Sequence, residues 1–177
     1  MAKITIFGLA GAGKSSVGKL LAKKLGADFI SSGNLYREEA KSRGLTLSEF
    51  EVFCLKDDSL DRALDNKMKE YGCTHDHFVA ESRLAWFFIS DSIKIKLDCD
   101  FNTRVGRVVS RDQVSLEHAL KETNLREAAH LERFRQYYGI SRYDADENFD
   151  HIIDTTHSCP EDVVEKICDI ISTYEHR

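Results

Sequence analysis

A chain of 177 residues is long enough to bury one full core as a single domain, spanning 1–177 here. Its 42% hydrophobic and 31% charged residues are the proportions of a water-soluble globular protein, and no apolar run approaches the ~18 residues of a membrane span. The net charge of −5 argues against a surface that coats nucleic acid.

Lys3-Ile4-Thr5-Ile6-Phe7 reads as a buried strand, and directly after it stands Gly8-Leu9-Ala10-Gly11-Ala12-Gly13-Lys14-Ser15. This is the phosphate-loop pattern of Gly, four residues, Gly-Lys and Ser or Thr. Glycines let backbone N–H groups turn inward around an anion, and the helix behind them adds partial positive charge at its N-terminus. That helix is announced by Val17, Leu20, Leu21 and Leu25 at helical spacing. Lys14 then reaches the β- and γ-phosphates, and the Ser15 hydroxyl is a ligand for Mg²⁺. Gly8, Leu9, Ala10, Gly11, Ala12, Gly13, Lys14, Ser15 and Ser16 are the expected donor-nucleotide segment.

A second strand, Asp28–Ile30, leads into Ser31-Ser32-Gly33-Asn34-Leu35-Tyr36-Arg37. Ser-x-Gly opens a helix here, and Arg37 one turn in makes a second anion site, with Ser32 and Gly33, facing the first across the sheet edge. From Gly33 to His77 the chain runs long before its third strand, which predicts two or three helices and a substrate-binding insert at about 33–76. Thr46-Leu47-Ser48-Glu49 reads as a capping box within it. Asp57, Asp58, Asp61 and Asp65 also fall there, with Asp61 and Asp65 one helical turn apart and Arg62 beside them; the alternative is that they are ordinary exposed helix aspartates. His75 and His77 read as sharing a strand face, without a third metal ligand.

After the third strand, Phe78–Ala80, comes Glu81-Ser82-Arg83. Strand ends of this kind line the ligand crevice of doubly wound sheets. Arg83 can pair bidentately with a phosphate, and Glu81 can order a Mg²⁺-bound water or the arginine itself. Trp86-Phe87-Phe88 reads as core. Beyond a fourth strand, Ile93–Leu97, a helix carries Arg104, Arg107 and Arg111. Arg107 and Arg111 share a face aimed at phosphates, while Arg104 reads as a surface residue. Ser115 to Tyr138 reads as a helical lid, within about 112–140, with Arg126 and Arg133 on one face about 10 Å apart along the axis. Alternatively, Glu122–Arg126 is an ordinary solvated pair at i, i+4 spacing. A fifth strand, Ile152–Ile153, ends at Asp154-Thr155-Thr156-His157, where Thr155 is the candidate for contact with the donor base. Pro160 opens the last helix.

Strands alternating with helices call for an α/β fold: a five-stranded parallel sheet with helices on both faces, a helical insert and a helical lid. Cys54, Cys73, Cys99, Cys159 and Cys168 form no C-x-x-C pair and read as free thiols. The N-terminus enters a strand directly, so no secretory leader is expected and the chain reads as cytoplasmic.

Taken in order, these segments resemble the nucleoside-monophosphate kinases of the phosphate-loop superfamily, and most nearly the archaeal-type cytidylate kinases, over nearly the whole chain. The phosphate loop is similar to that family's first motif, and Ser-x-Gly with Arg37 to its monophosphate-gripping segment. Glu81-Ser82-Arg83-Leu84-Ala85 and Leu97-Asp98-Cys99 are similar to the ends of its third and fourth strands. Arg126-Glu127 through Arg133, then Tyr138-Gly139-Ile140, is similar to its lid helix and following turn. The resemblance implies transfer of the γ-phosphoryl of ATP to CMP or dCMP with Mg²⁺, and Asp61 and Asp65 as readers of the cytosine amine. It implies small-molecule nucleotides as the only partners, no nucleic acid, no membrane, and a monomer. The alternatives are another nucleoside-monophosphate or shikimate-type kinase, or a regulator that binds ATP without transferring its phosphate.

Overall fold

The computed structural model describes residues 2–45, 49–50, 53–54 and 59–175. Thr46, Leu47 and Ser48 of the capping box and the aspartates Asp57 and Asp58 lie outside the described residues. Five parallel strands form one sheet: β1 Lys3–Phe7, β2 Asp28–Ser31, β3 Phe78–Glu81, β4 Ile93–Asp98 and β5 His151–Asp154, in the order β2-β3-β1-β4-β5. The helices among the described residues include α1 Lys14–Leu25, α2 Ser32–Ser42, α3 Ser59–Thr74, α4 Ala85–Phe88, α5 Phe101–Asp112, α6 Leu116–Tyr138 and α7 Pro160–Glu175. Among the described residues no helix is long and apolar enough to cross a membrane.

Strand periodicity sorts the side chains between two cores. On one face Ile4, Ile6, Val79, Ile95 and Leu97 pack under α1 and α7, against Val17, Leu21, Val163 and Ile167. On the other, Phe78 and Ala80 meet Met68 of α3 and Ala85 of α4. Phe7, at the end of β1, joins Leu84, Phe134 of α6 and Tyr143, which docks the long helix onto the sheet. The insert has a small core of its own, where Phe50 and Cys54 pack against Ala40 of α2.

α1 starts at Gly13 in the left-handed region, φ +94°, and ends at Gly26 in the same region. Gly11 is the position where the fold requires glycine most strictly. Its φ is +83°, and a Cβ there would lie 2.3 Å from the Arg104 carbonyl oxygen. The backbone of the phosphate loop is therefore packed directly on α5. Ser31 caps α2 by accepting from the Asn34 N–H at 3.3 Å, and Ser115 caps α6 through the His118 N–H.

Two local expectations are corrected. His75 and His77 do not share a strand face: both precede β3. His75 stacks on Tyr71 at the end of α3, 3.8 Å between ring centroids. His77 accepts from the Ala2 N–H through Nδ1 and bonds the Leu25 carbonyl through Nε2, tying β1 to the end of α1. Of Trp86-Phe87-Phe88, Phe87 is 42% exposed, so only its two neighbours behave as core.

Candidate functional site

All strands run the same way, so β1, β3 and β4 deliver their following loops to one edge of the sheet. There the phosphate loop, Glu81-Ser82-Arg83, α5 and α6 converge. The Ser15 hydroxyl donates to Glu81 Oε2 at 2.8 Å, joining the start of α1 to the end of β3. Lys14 folds back on the loop, its Nζ donating to the Leu9 carbonyl at 3.2 Å. Burial lowers the Lys14 pKa to about 8; Glu81 opposes the shift, and Arg83, Arg111 and Arg104 add to it. Arg83 is likewise pulled down, first by burial and then by the charges of Arg133 and Arg126, against Tyr143 and Glu127. The edge thus gathers cations from four separate segments into a site with a deficit of negative charge, which is what a phosphate-binding cleft needs.

The segment expected to hold the acceptor is the start of α2. Ser32 and Gly33 form the first turn of α2, and the exposed Arg37 donates to Asn34 Oδ1 at 2.6 Å. The guanidinium nitrogens of Arg37 would lie 3.7 Å from a Cβ at Gly33, so its head group folds over the helix start.

Four further residues are tied into the frame around the site. Arg104, expected on the surface, is 5% exposed: Nη1 donates to the Ala10 carbonyl at 3.2 Å and to Glu127 Oε1 at 2.7 Å. It braces the phosphate loop against α6, and the close packing of that loop on α5 encloses its side chain. Asp61 is 8% exposed and takes an ion pair from Arg133, so the reading of it as an ordinary exposed aspartate does not hold. Arg107 donates to the Gly11 and Thr155 carbonyls, at 3.3 and 2.7 Å, so it clamps the loop to the end of β5. Thr155 is buried, its hydroxyl donating to the Ala12 and Asp98 carbonyls, both at 3.0 Å.

The remaining candidates divide clearly. Arg111 reaches the field of Lys14 but is held in an exposed bidentate pair with Asp112. Asp65 accepts from the Tyr138 hydroxyl at 2.7 Å, and burial raises its pKa. Arg126 is exposed on the same face of α6 as Arg133, and its charge is felt at Arg83. Sequence reasoning misses His130, which lies between those two arginines, although its spacing of four from Arg126 and three from Arg133 marks the same helix face.

For Mg²⁺ the donor set fits. Ser15 and Glu81 present hydroxyl and carboxylate oxygens within hydrogen-bond reach of each other beside Lys14, the hard ligands this ion takes. Among the described residues no group of three His, Cys, Asp or Glu could hold a metal ion, so most ligands would come from nucleotide phosphates and water.

A five-stranded parallel sheet whose first strand feeds a Gly-x4-Gly-Lys-Ser loop, with an insert after β2 and a cationic helix after β4, defines the class: a phosphate-loop kinase fold. Solved structures agree. An uncharacterized protein from Eubacterium ventriosum superposes with a TM-score of 0.72 at 19% identity, over 97% of this chain and 99% of that one. Shikimate kinase from Acinetobacter baumannii, in complex with shikimate, gives 0.66 at 19%, over 100% and 96%. The model of the cytidylate kinase-like family matches residues 3–157, and the chain belongs to that family. Among its relatives, the cytidylate kinase of Methanospirillum hungatei is 41% identical over 140 residues, 78% of this chain and 79% of that protein.

Proposed function

We propose that this chain is an ATP-dependent kinase that transfers the γ-phosphoryl of ATP to CMP or dCMP, giving the diphosphate and ADP. The observation that carries the reading is the Ser15–Glu81 contact, which joins the phosphate loop to the strand end bearing Arg83. Two anion sites therefore meet at one edge, as a reaction between two phosphorylated molecules requires. Family membership supports cytidine monophosphate as the acceptor.

Phosphoryl transfer has a loose transition state with charge spread over the equatorial oxygens, so the protein contributes positioning and electrostatics. The loop amides and Lys14 hold the donor phosphates; Arg37 and Arg83 grip the acceptor phosphate; Arg126 and Arg133 on α6 close over the group in flight and exclude water. Ser15, with Glu81 ordering a water, would hold Mg²⁺, which when bound neutralises charge on the donor phosphates. Asp61 and Asp65 face the acceptor base, where a carboxylate accepts from the cytosine amine and repels the uracil carbonyl.

Release of ADP, coupled to NADH oxidation, tests this with CMP, dCMP, UMP, AMP and shikimate as acceptors. Turnover is expected with CMP or dCMP well above the others. Preference for shikimate, or ATP binding without transfer to any acceptor, overturns the reading.

A further inference from the structure

His130 lies four residues after Arg126 and three before Arg133, so the three side chains form one stripe along α6. Its ring is fixed on two sides. Nδ1 bonds the Arg126 carbonyl oxygen, and the imidazole meets Phe134 edge-on, 5.6 Å between centroids at 65°. A carbonyl oxygen only accepts, so Nδ1 carries the proton in that bond and Nε2 is the other pole. The charges bearing on the ring are Arg83, from the segment after β3, and Arg133 and Arg126 from its own helix. Asp61 of α3 is engaged with Arg133. Burial first, and then these guanidinium groups, hold the imidazole well below its usual pKa, so it is neutral at pH 7 in the free protein.

In the kinase reading, on which the role of His130 rests, those guanidinium groups hold the acceptor and transferring phosphates. A phosphate monoester placed among them brings roughly two negative charges and cancels the repulsion that keeps Nε2 bare. We propose that His130 is a further phosphate-contacting residue: when CMP binds, Nε2 takes a proton from the buffer acid and donates a hydrogen bond to a phosphate oxygen. No bond to phosphorus changes in this step. One N–H forms, the buffer is left as its conjugate base, and binding of the acceptor is coupled to proton uptake. The bound-state pKa then lies above the free-state value. The contribution of His130 to CMP affinity is therefore largest on the acid side and is lost as pH rises through the bound-state value.

The test is calorimetric titration of CMP into the full chain saturated with Mg²⁺ and a non-hydrolysable ATP analogue, in PIPES, HEPES and Tris, whose ionisation heats differ. Protons exchanged by the CMP phosphate are common to wild type and His130→Gln, so the difference between the two isolates the imidazole. Wild type is expected to take up as much as about one more proton than the variant at neutral pH. The variant should bind CMP about tenfold more weakly at roughly pH 6.5, with the gap closing on the alkaline side. In wild type labelled at histidine, the His130 ring signals should move from neutral to protonated on loading, a readout that stands even if the variant does not fold. Equal proton uptake, or an imidazole that stays neutral in the loaded protein, overturns the assignment of His130 while leaving the kinase reading intact. Wild type that binds no CMP overturns both.

Discussion

Arg133 of α6 is ion-paired with Asp61 of α3, so in the free protein the two helices proposed to close on the nucleotide hold each other. Four residues further along α3, and five along α6, Tyr138 donates to Asp65 and repeats the link. A cation assigned to phosphate and a carboxylate assigned to the base are thus each other's partner before substrate arrives. Their pairing limits the desolvation cost of keeping a charge at Asp61, which is 8% exposed. Under the proposed kinase roles, the acceptor would exchange this pair for its own contacts.

Asp61→Asn is therefore expected to act twice. Loss of the ion pair should cost about 1 kcal/mol, since Arg133 remains solvated enough to recover water, and should lower Tm by about 2–4 °C. The CMP-to-UMP ratio of kcat/KM should fall by roughly tenfold or more, because an amide can turn to donate to the uracil carbonyl. Asp65→Asn and the double variant extend the series. A ratio within twofold of wild type in all three places base reading elsewhere, with Arg62, which stacks over Tyr137, the next candidate.

Lys14→Ala should abolish transfer while the fold survives, since the side chain bonds only its own loop and loses a cation worth several kcal/mol in the transition state. Wild type carries a pH signature of the same residue. Its folded pKa, about 8, lies below the ordinary 10.5 of lysine. Between those values the unfolded chain binds more protons, so the nucleotide-free protein should gain stability as pH rises through that window. Phosphates raise the value again, so ATP affinity should weaken above pH 8, by up to about tenfold per pH unit. Thermal melts with and without ATP across this range separate the two opposite slopes. Parallel slopes, or slopes retained in Lys14→Ala, would sink the assignment.

Strand positions and the phosphate loop are legible in the sequence because they rest on local pattern: β1, β2, β3, β4 and β5 begin or end within about two residues of where apolar periodicity puts them. The start of α2 and both ends of α6 follow from the capping serines Ser31 and Ser115 and from Gly139, which ends α6 in the left-handed region. The part each arginine plays is not legible. Arg104 and Arg107 are three apart on one helix, yet one is buried against Glu127 and the other clamps two loops, which depends on how closely Gly11 approaches α5. Asp61 reads as an exposed helix aspartate because its partner lies 72 residues away. Helical spacing reports faces, whereas burial depends on what the tertiary fold lays over them.

Arg37→Ala and Arg83→Ala should weaken CMP far more than ATP, each removing a charge-assisted partner of the acceptor phosphate. Arg83 is half-buried among Arg126, Arg133 and Glu127, so its loss should be the larger, with Kd for CMP rising roughly tenfold to a hundredfold. Arg37 is exposed and bonded only locally to Asn34, which predicts a smaller effect. Equal losses of ATP and CMP affinity in calorimetry would mean that the acceptor site is misplaced.

Arg104 offers the sharpest separation of bracing from catalysis. Its guanidinium is buried, paired with Glu127 of α6 and bonded to the Ala10 carbonyl, and its backbone carbonyl lies against Gly11. Removing it leaves Glu127 without its cation and the loop carbonyl without a donor. Arg104→Ala should therefore destabilise the fold by about 2–4 kcal/mol, lowering Tm by roughly 5–15 °C. Part of that loss belongs to the stranded carboxylate, so Arg104→Ala with Glu127→Ala should be less destabilised than the sum of the single variants, by about 1 kcal/mol or more. At a temperature where the variant is folded, ATP affinity should fall less than in Lys14→Ala, because Arg104 Nη1 is engaged with the Ala10 carbonyl and Glu127. A variant with unchanged Tm and a hundredfold lower kcat would return Arg104 to the group that touches the substrate.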